Sequence, residues 1–110
     1  MTAIVPALAA VYITAPDAET AEDLIRALLE RRLIACANIL PQAVSLFRWE
    51  GEVQVEAEAV VVCKTRLALA NEVVAAVTEL HPYDVPCVTV LELASAQPEY
   101  AEWVQQETKA

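Results

Sequence analysis

Apolar and polar positions change period several times along this chain, and each change marks an element. Leu8 to Thr14 is a short apolar run bounded by Pro6 and Ala15-Pro16, which predicts a strand. Asp17 suits the N-cap of a helix. After it, Ala21, Leu24, Ile25 and Leu28 recur at i, i+3, i+4, i+7, with Glu19, Glu22, Asp23, Arg26 and Glu30 mostly opposite. The predicted helix runs to about Arg32, with its acidic residues early and Arg31 and Arg32 last, as the helix dipole prefers. A second strand starts at Ala35 and enters a long hairpin that ends at Arg66. Glu52 to Ala59 alternates strictly, so that strand has one wet and one dry face. At Val60-Val61-Val62-Cys63 the alternation stops, which predicts cover on both faces and marks the centre of the sheet. Leu67 to Leu80 is a second helix with Leu69, Val73, Ala76, Val77 and Leu80 as its stripe, stopped by Pro82. Val85 to Leu93 is a further strand. Gln97-Pro98 then opens a third helix, with Tyr100, Trp103 and Val104 on one side. The order β-α-β-β-α-β-α places the chain in the α+β class. Its first six elements predict a ferredoxin-like split βαβ fold, a four-stranded antiparallel sheet with two helices on one face, and the third helix is an addition.

The hairpin is too long for its domain. Its turn falls at Trp49-Glu50-Gly51-Glu52, and Gly51 is the only glycine, the residue that takes φ > 0 at no steric cost. Straight, the return arm Glu52 to Arg66 would reach about 50 Å, against a radius of gyration of about 13 Å for a compact domain of this length. The hairpin must bend, for which Pro41 is the candidate, or its tip must leave the domain. A tip bearing Phe47 and Trp49 is an apolar edge of the kind proteins cover, and the expected cover is another copy of the chain. With a two-residue loop and no bulge, Asn38 lies opposite Cys63 and Cys36 opposite Thr65; a bulge at Pro41 shifts this pairing by one residue.

Composition narrows the function classes. Residues 1–110 form one domain, 57% hydrophobic with no low-complexity run, so disorder is not expected. A formal charge of −9 speaks against nucleic acid and anionic membranes as partners. The three cysteines, Cys36, Cys63 and Cys87, form no C-x-x-C pair and no even set, which suits a reducing compartment. The apolar run Ala3 to Ile13 has no basic residue before it and is too short to span a bilayer. A cytoplasmic location is expected.

Candidate chemistry is sparse. His81, the only histidine, could be a metal ligand or a general acid/base, or simply a helix-end residue touching the last carbonyls. Cys36 could be a soft-metal ligand or a nucleophile, or a small core residue; Cys63 and Cys87 look still more like core positions. Lys64 could line a pocket and take an anion, or snorkel from a strand end. Glu52, Glu56 and Glu58 could collect divalent cations or form a solvated face. Neither serine sits in a nucleophile elbow and no phosphate-binding glycine loop occurs, so no enzymatic activity is expected.

Taken together, Thr14-Ala15-Pro16, Ala35-Cys36-Ala37-Asn38-Ile39 with Pro41, Trp49-Glu50-Gly51, Lys64-Thr65, His81-Pro82-Tyr83, and Tyr100 with Trp103 resemble the CutA divalent-cation tolerance family over nearly the whole chain. The resemblance implies a homotrimer, similar in architecture to PII signalling proteins, with the long hairpin in the trimer contacts. It implies a role in tolerance of copper and other divalent metals, with no obligatory cofactor. It also implies an inter-subunit pocket lined by Cys36, Asn38, Trp49, Lys64, His81 and Tyr83, where His81 and Cys36 would bind copper or zinc weakly. Ile13 and Leu80 stand where some copper-binding relatives carry a further cysteine and histidine, and Asp84 stands where Glu or Gln is common. The alternative reading of the same architecture is a small-molecule sensor in which Lys64 holds an anionic ligand.

Overall fold

The computed structural model describes residues 7–110; Pro6, expected to bound the first strand, lies outside them. The elements are β1 (Leu8–Ala15), α1 (Ala18–Glu30), β2 (Cys36–Trp49), β3 (Glu52–Arg66), α2 (Ala70–Leu80), β4 (Val88–Glu92) and α3 (Pro98–Glu107). A 3-10 turn, Leu67–Leu69, leads into α2, so the predicted second helix is two pieces. The strands form one antiparallel sheet in the order β2-β3-β1-β4. This is the ferredoxin-like arrangement, with the continuous apolar run of β3 beside β1 at its centre.

One face of the sheet carries the main core. Val11, Ile13 and Ala15 of β1 and Ala59, Val61 and Cys63 of β3 pack against Ala21, Leu24, Ile25 and Leu28 of α1 and Val73, Ala76 and Val77 of α2. Asp17 caps α1, its carboxylate accepting from the Thr20 amide at 2.7 Å, and this bond lowers the Asp17 pKa. The C-cap of α1 is Arg31. Arg32 follows in the left-handed region at φ 57°, a conformation that glycine adopts without strain and other residues resist.

The opposite face is covered only at one end. Directly opposed residues of antiparallel strands point to the same side, so the register sets Cys36, Lys64, Ala10 and Leu91 in one row and Asn38, Val62, Tyr12 and Thr89 in the next. α3 lies across the end where Leu8 and Ala35 meet Ala101 and Val104. Tyr12, Leu40 and Leu91 stay exposed. The pairing of β2 with β3 shifts by one residue between Leu40 and Ala43. Pro41 lies inside that shift, so Cys36 faces Lys64 and Asn38 faces Val62, as the bulged register predicts.

Beyond this shift the hairpin leaves the sheet. β1 ends at the Ala15–Ala59 pair, whereas β2 and β3 continue from Ala43–Glu58 to Trp49–Glu52 as a two-stranded arm. Glu50 and Gly51 both have positive φ, 50° and 83°, the pattern of a type I′ turn. The molecule measures 44 × 31 × 22 Å with a radius of gyration of 14.6 Å, above the ~13 Å of a compact chain of this length. The arm accounts for the excess. Two strands alone are marginally stable in water, and this arm exposes Val44, Leu46, Val53 and Val55 at 71, 67, 60 and 63%, all on one side by the register.

Two expectations need correction. The fourth strand does not start at Val85: residues 81–85 form bends, Val85 is 74% exposed, and β4 begins at Val88. The Pro82 and Pro86 flanks remove the backbone donors that an earlier start would need. Cys87 is exposed rather than core, because it precedes β4 and only its carbonyl engages β1, accepting from the Thr14 amide at 3.3 Å.

Candidate functional site

His81 closes α2. Its amide donates to the Val77 carbonyl at 2.8 Å, and the proline after it holds it extended. That geometry turns the ring away from its own helix and onto the end of β1. The residue is 6% exposed. Its Nδ1 accepts from the Tyr83 amide at 3.1 Å, and Nε2 lies 2.7 Å from the Thr14 carbonyl oxygen. An accepting Nδ1 leaves the proton on Nε2, which donates to Thr14. His81 therefore joins α2, the bend after it and β1, and does not bond the last carbonyls of α2 through its side chain. Tyr83 stacks beside it with ring centroids 4.8 Å apart.

The Tyr83 hydroxyl donates to Oε2 of Glu58 at 3.4 Å. Partial burial, then the Glu58 carboxylate, and more distantly Glu56 and Asp17, raise the Tyr83 phenol above its ordinary range. Glu58 itself is 8% exposed. The solvated carboxylate row expected on β3 thus holds for Glu52 and Glu56 only. Alternation alone could not reveal this, because the Tyr83 hydroxyl reaches Glu58 from the bend after α2.

At the other end of the open face stand Cys36, Lys64 and Tyr100. Cys36 is half-buried, and its Sγ lies 3.3 Å from the Tyr100 hydroxyl. Burial, followed by this contact, pushes the Tyr100 phenol up to about 12. Lys64 is half-buried beside them in the same row and forms no ion pair among the described residues. Asn38 lies one row further along the same face. Trp49 is at the tip of the arm, at the far end of β2 from Cys36, and exposed.

The six candidate residues therefore form two groups and an outlier within one chain. Cys36 is level with Ala10 across the sheet, whereas the carbonyl held by His81 belongs to Thr14, four residues further along β1. Four residues of strand span about 13 Å, far beyond the 2.0–2.3 Å of zinc bonds to nitrogen or sulfur. Among the described residues no group of three or more His, Cys, Asp or Glu side chains is placed to hold a metal ion. Two surface clefts of about 490 and 410 Å³ are lined by none of the six. A site using these residues together needs side chains from more than one copy.

The geometry describes a ferredoxin-like α+β subunit with a half-open sheet face and a projecting apolar arm. Comparison with known proteins gives the family. The family model for the CutA1 divalent ion tolerance protein matches residues 9–107. The divalent-cation tolerance protein CutA of Pyrococcus horikoshii is 40% identical over 99 residues, covering 90% of this chain and 96% of that protein. The crystal structure of CutA1 from Oryza sativa superposes with a TM-score of 0.91 at 34% identity, covering 99% of this chain and 98% of that one. The crystal structure of CutA1 from Pyrococcus horikoshii gives 0.89 at 37% identity, covering 93% and 99%. The chain belongs to the CutA1 divalent ion tolerance family. It spans 58% and 64% of the length of the CutA proteins of Mus musculus and Xenopus laevis, which are 33% and 36% identical to it.

Proposed function

We propose that the protein acts in divalent-cation tolerance as a homotrimer, and that copper or zinc binds weakly at sites made between subunits from Cys36 and His81. The uncovered arm carries this reading. Four large apolar side chains on one side of a marginal two-stranded ribbon call for a partner surface, and the half-open sheet face of a second copy offers one of matching character. Apposed copies would also bring donors together that one chain keeps apart, with His81 ligating through Nδ1 once it gives up the Tyr83 amide that Nδ1 accepts from within one chain. Thiolate and imidazole favour copper and zinc over magnesium or calcium. Asn38, Lys64, Trp49 and Tyr83 would line the same inter-subunit sites without ligating. No enzymatic step is assigned. No helix among the described residues is long and apolar enough to cross a membrane. The cytoplasm is the proposed compartment, although relatives carry chloroplastic and periplasmic names.

Native mass spectrometry with and without Cu(II) and Zn(II) tests this. The expected result is three times the 12.0 kDa chain, metal uptake in a fixed ratio, and loss of uptake in Cys36→Ser and His81→Gln chains that keep the trimer mass. A monomer, or a trimer indifferent to both metals, overturns it. The half-buried ammonium of Lys64, without an ion pair among the described residues, favours a second reading, an anionic small-molecule ligand at the same inter-subunit sites. Calorimetry against nucleotides and common organic acids, with Lys64→Ala as control, decides that one.

A further inference from the structure

The third helix is attached differently from the rest of the fold. Its apolar contacts form a small cluster of their own, Leu8, Ala35, Ala101 and Val104 with Leu93 and Ala96 packed against it, separate from the main core and rich in alanine. Its C-terminus is held by polar bonds from two arginines. Arg66, the last residue of β3, donates from Nε to Thr108 Oγ1 at 2.9 Å and from Nη2 to the carbonyls of Gln105 and Thr108 at 2.7 and 3.0 Å. Arg32 donates from Nη2 to the Gln106 carbonyl at 3.4 Å and lies 3.5 Å from the Glu107 carboxylate, while its own carbonyl accepts from the Lys109 amide at 2.9 Å. Lys109 also pairs with Glu72 of α2 at 2.6 Å. Both guanidiniums sit on the carbonyls that a helix C-terminus leaves without internal donors, where the helix dipole favours positive charge. Arg32 makes these bonds from its left-handed backbone conformation.

We propose that α3 is a strap, clasped by Arg66 and Arg32, that opens as a unit while the sheet and the other two helices stay folded. A small apolar cluster and a terminus held by partly exposed polar bonds are the features of segments that open below the cost of global unfolding. Tyr100, which touches Cys36, and Trp103, tilted against it with ring centroids 5.8 Å apart, both ride on the strap. Opening therefore uncovers the Cys36 end of the open face and breaks the Cys36–Tyr100 contact. The strap sets access to that end of the sheet whether the ligand there is a metal or an anion, so it stands apart from the function proposed above.

Hydrogen exchange read by mass spectrometry, alongside alkylation of Cys36 with iodoacetamide, tests the strap in the full chain. In the unsubstituted protein the amides of 101–107 exchange faster than those of β1 and β3. Arg66→Ala removes all three guanidinium bonds and speeds α3 exchange by about tenfold or more, since one charge-assisted hydrogen bond alone is worth about that factor. It leaves β1 and β3 unchanged and raises Cys36 alkylation in parallel. Arg32→Gly is the second variant: it removes the guanidinium but relaxes the positive φ, so α3 loosens with no loss of protection in the core. Exchange of α3 at the rate of β1 and β3 overturns the proposal. So does equal acceleration of every element in both variants, or α3 loosening without any change at Cys36.

Discussion

Placing a carboxylate on the arm separates the demands of the subunit from those of the assembly. Val55 pairs with Leu46 in the register and lies on the side that also carries Val44 and Val53. Burying one such side chain completely stabilises by about 1.5–3 kcal/mol. At roughly two-thirds exposure each of the four has about 1–2 kcal/mol still to gain, or about 4–8 kcal/mol per copy if all are covered. Val55→Glu removes one of these gains and adds a carboxylate that must be desolvated at the contact, several kcal/mol more when it is unpaired. Every 1.4 kcal/mol is tenfold in affinity, so a trimer held by this arm falls apart at micromolar concentration. The subunit itself barely notices, because an exposed substitution costs it within about 0.5 kcal/mol. Sedimentation velocity gives the oligomeric state, and far-UV circular dichroism shows whether the fold survives. A Val55→Glu chain that still sediments as a trimer refutes the reasoning, as does unsubstituted protein that is already a monomer.

Three further outcomes follow from single contacts. Thr65 is fully buried and donates to the Leu33 carbonyl at 2.6 Å, so Thr65→Val orphans that carbonyl and lowers stability to urea by about 1–3 kcal/mol; an unchanged midpoint would show the bond contributes nothing. Glu50 occupies a left-handed position before Gly51, so Glu50→Asn stabilises the turn by up to about 1 kcal/mol, read from the urea midpoint of whatever species sediments. Burial pushes the Cys63 thiol from 9.0 up to about 12, so its contribution to stability is whole below about pH 9 and is lost as the pH rises towards 12. A Cys63→Ala chain, although less stable at neutral pH, loses stability less steeply across that window; parallel alkaline curves would contradict this.

Local patterns carried the elements because each depends on neighbours in the chain. The helical stripe of Ala21, Leu24, Ile25 and Leu28, the Asp17 cap, the Gly51 turn and the unbroken apolar run of Val60 to Cys63 all appear where they were read. The shifted register at Pro41 was also legible, since proline cannot donate to a ladder. Val85 and Cys87 misled because β-propensity responds to burial, and the chain after Pro82 has no partner strand until Val88 meets Ile13.

For the candidate site, residue types were visible and placement was not. The sequence by itself determined a four-stranded α+β subunit, an arm too long to stay within it, and a short roster of side chains able to bind anything. Only the tertiary structure decided that the His81 ring nitrogens are both engaged, that Glu58 is buried and bonded by Tyr83, and that Cys36 and His81 belong to opposite ends of the sheet. The physical reason is range. Periodicity and capping act over a few residues, whereas the His81–Thr14 and Tyr83–Glu58 contacts join positions 67 and 25 residues apart, and their partners are chosen by how the layers pack.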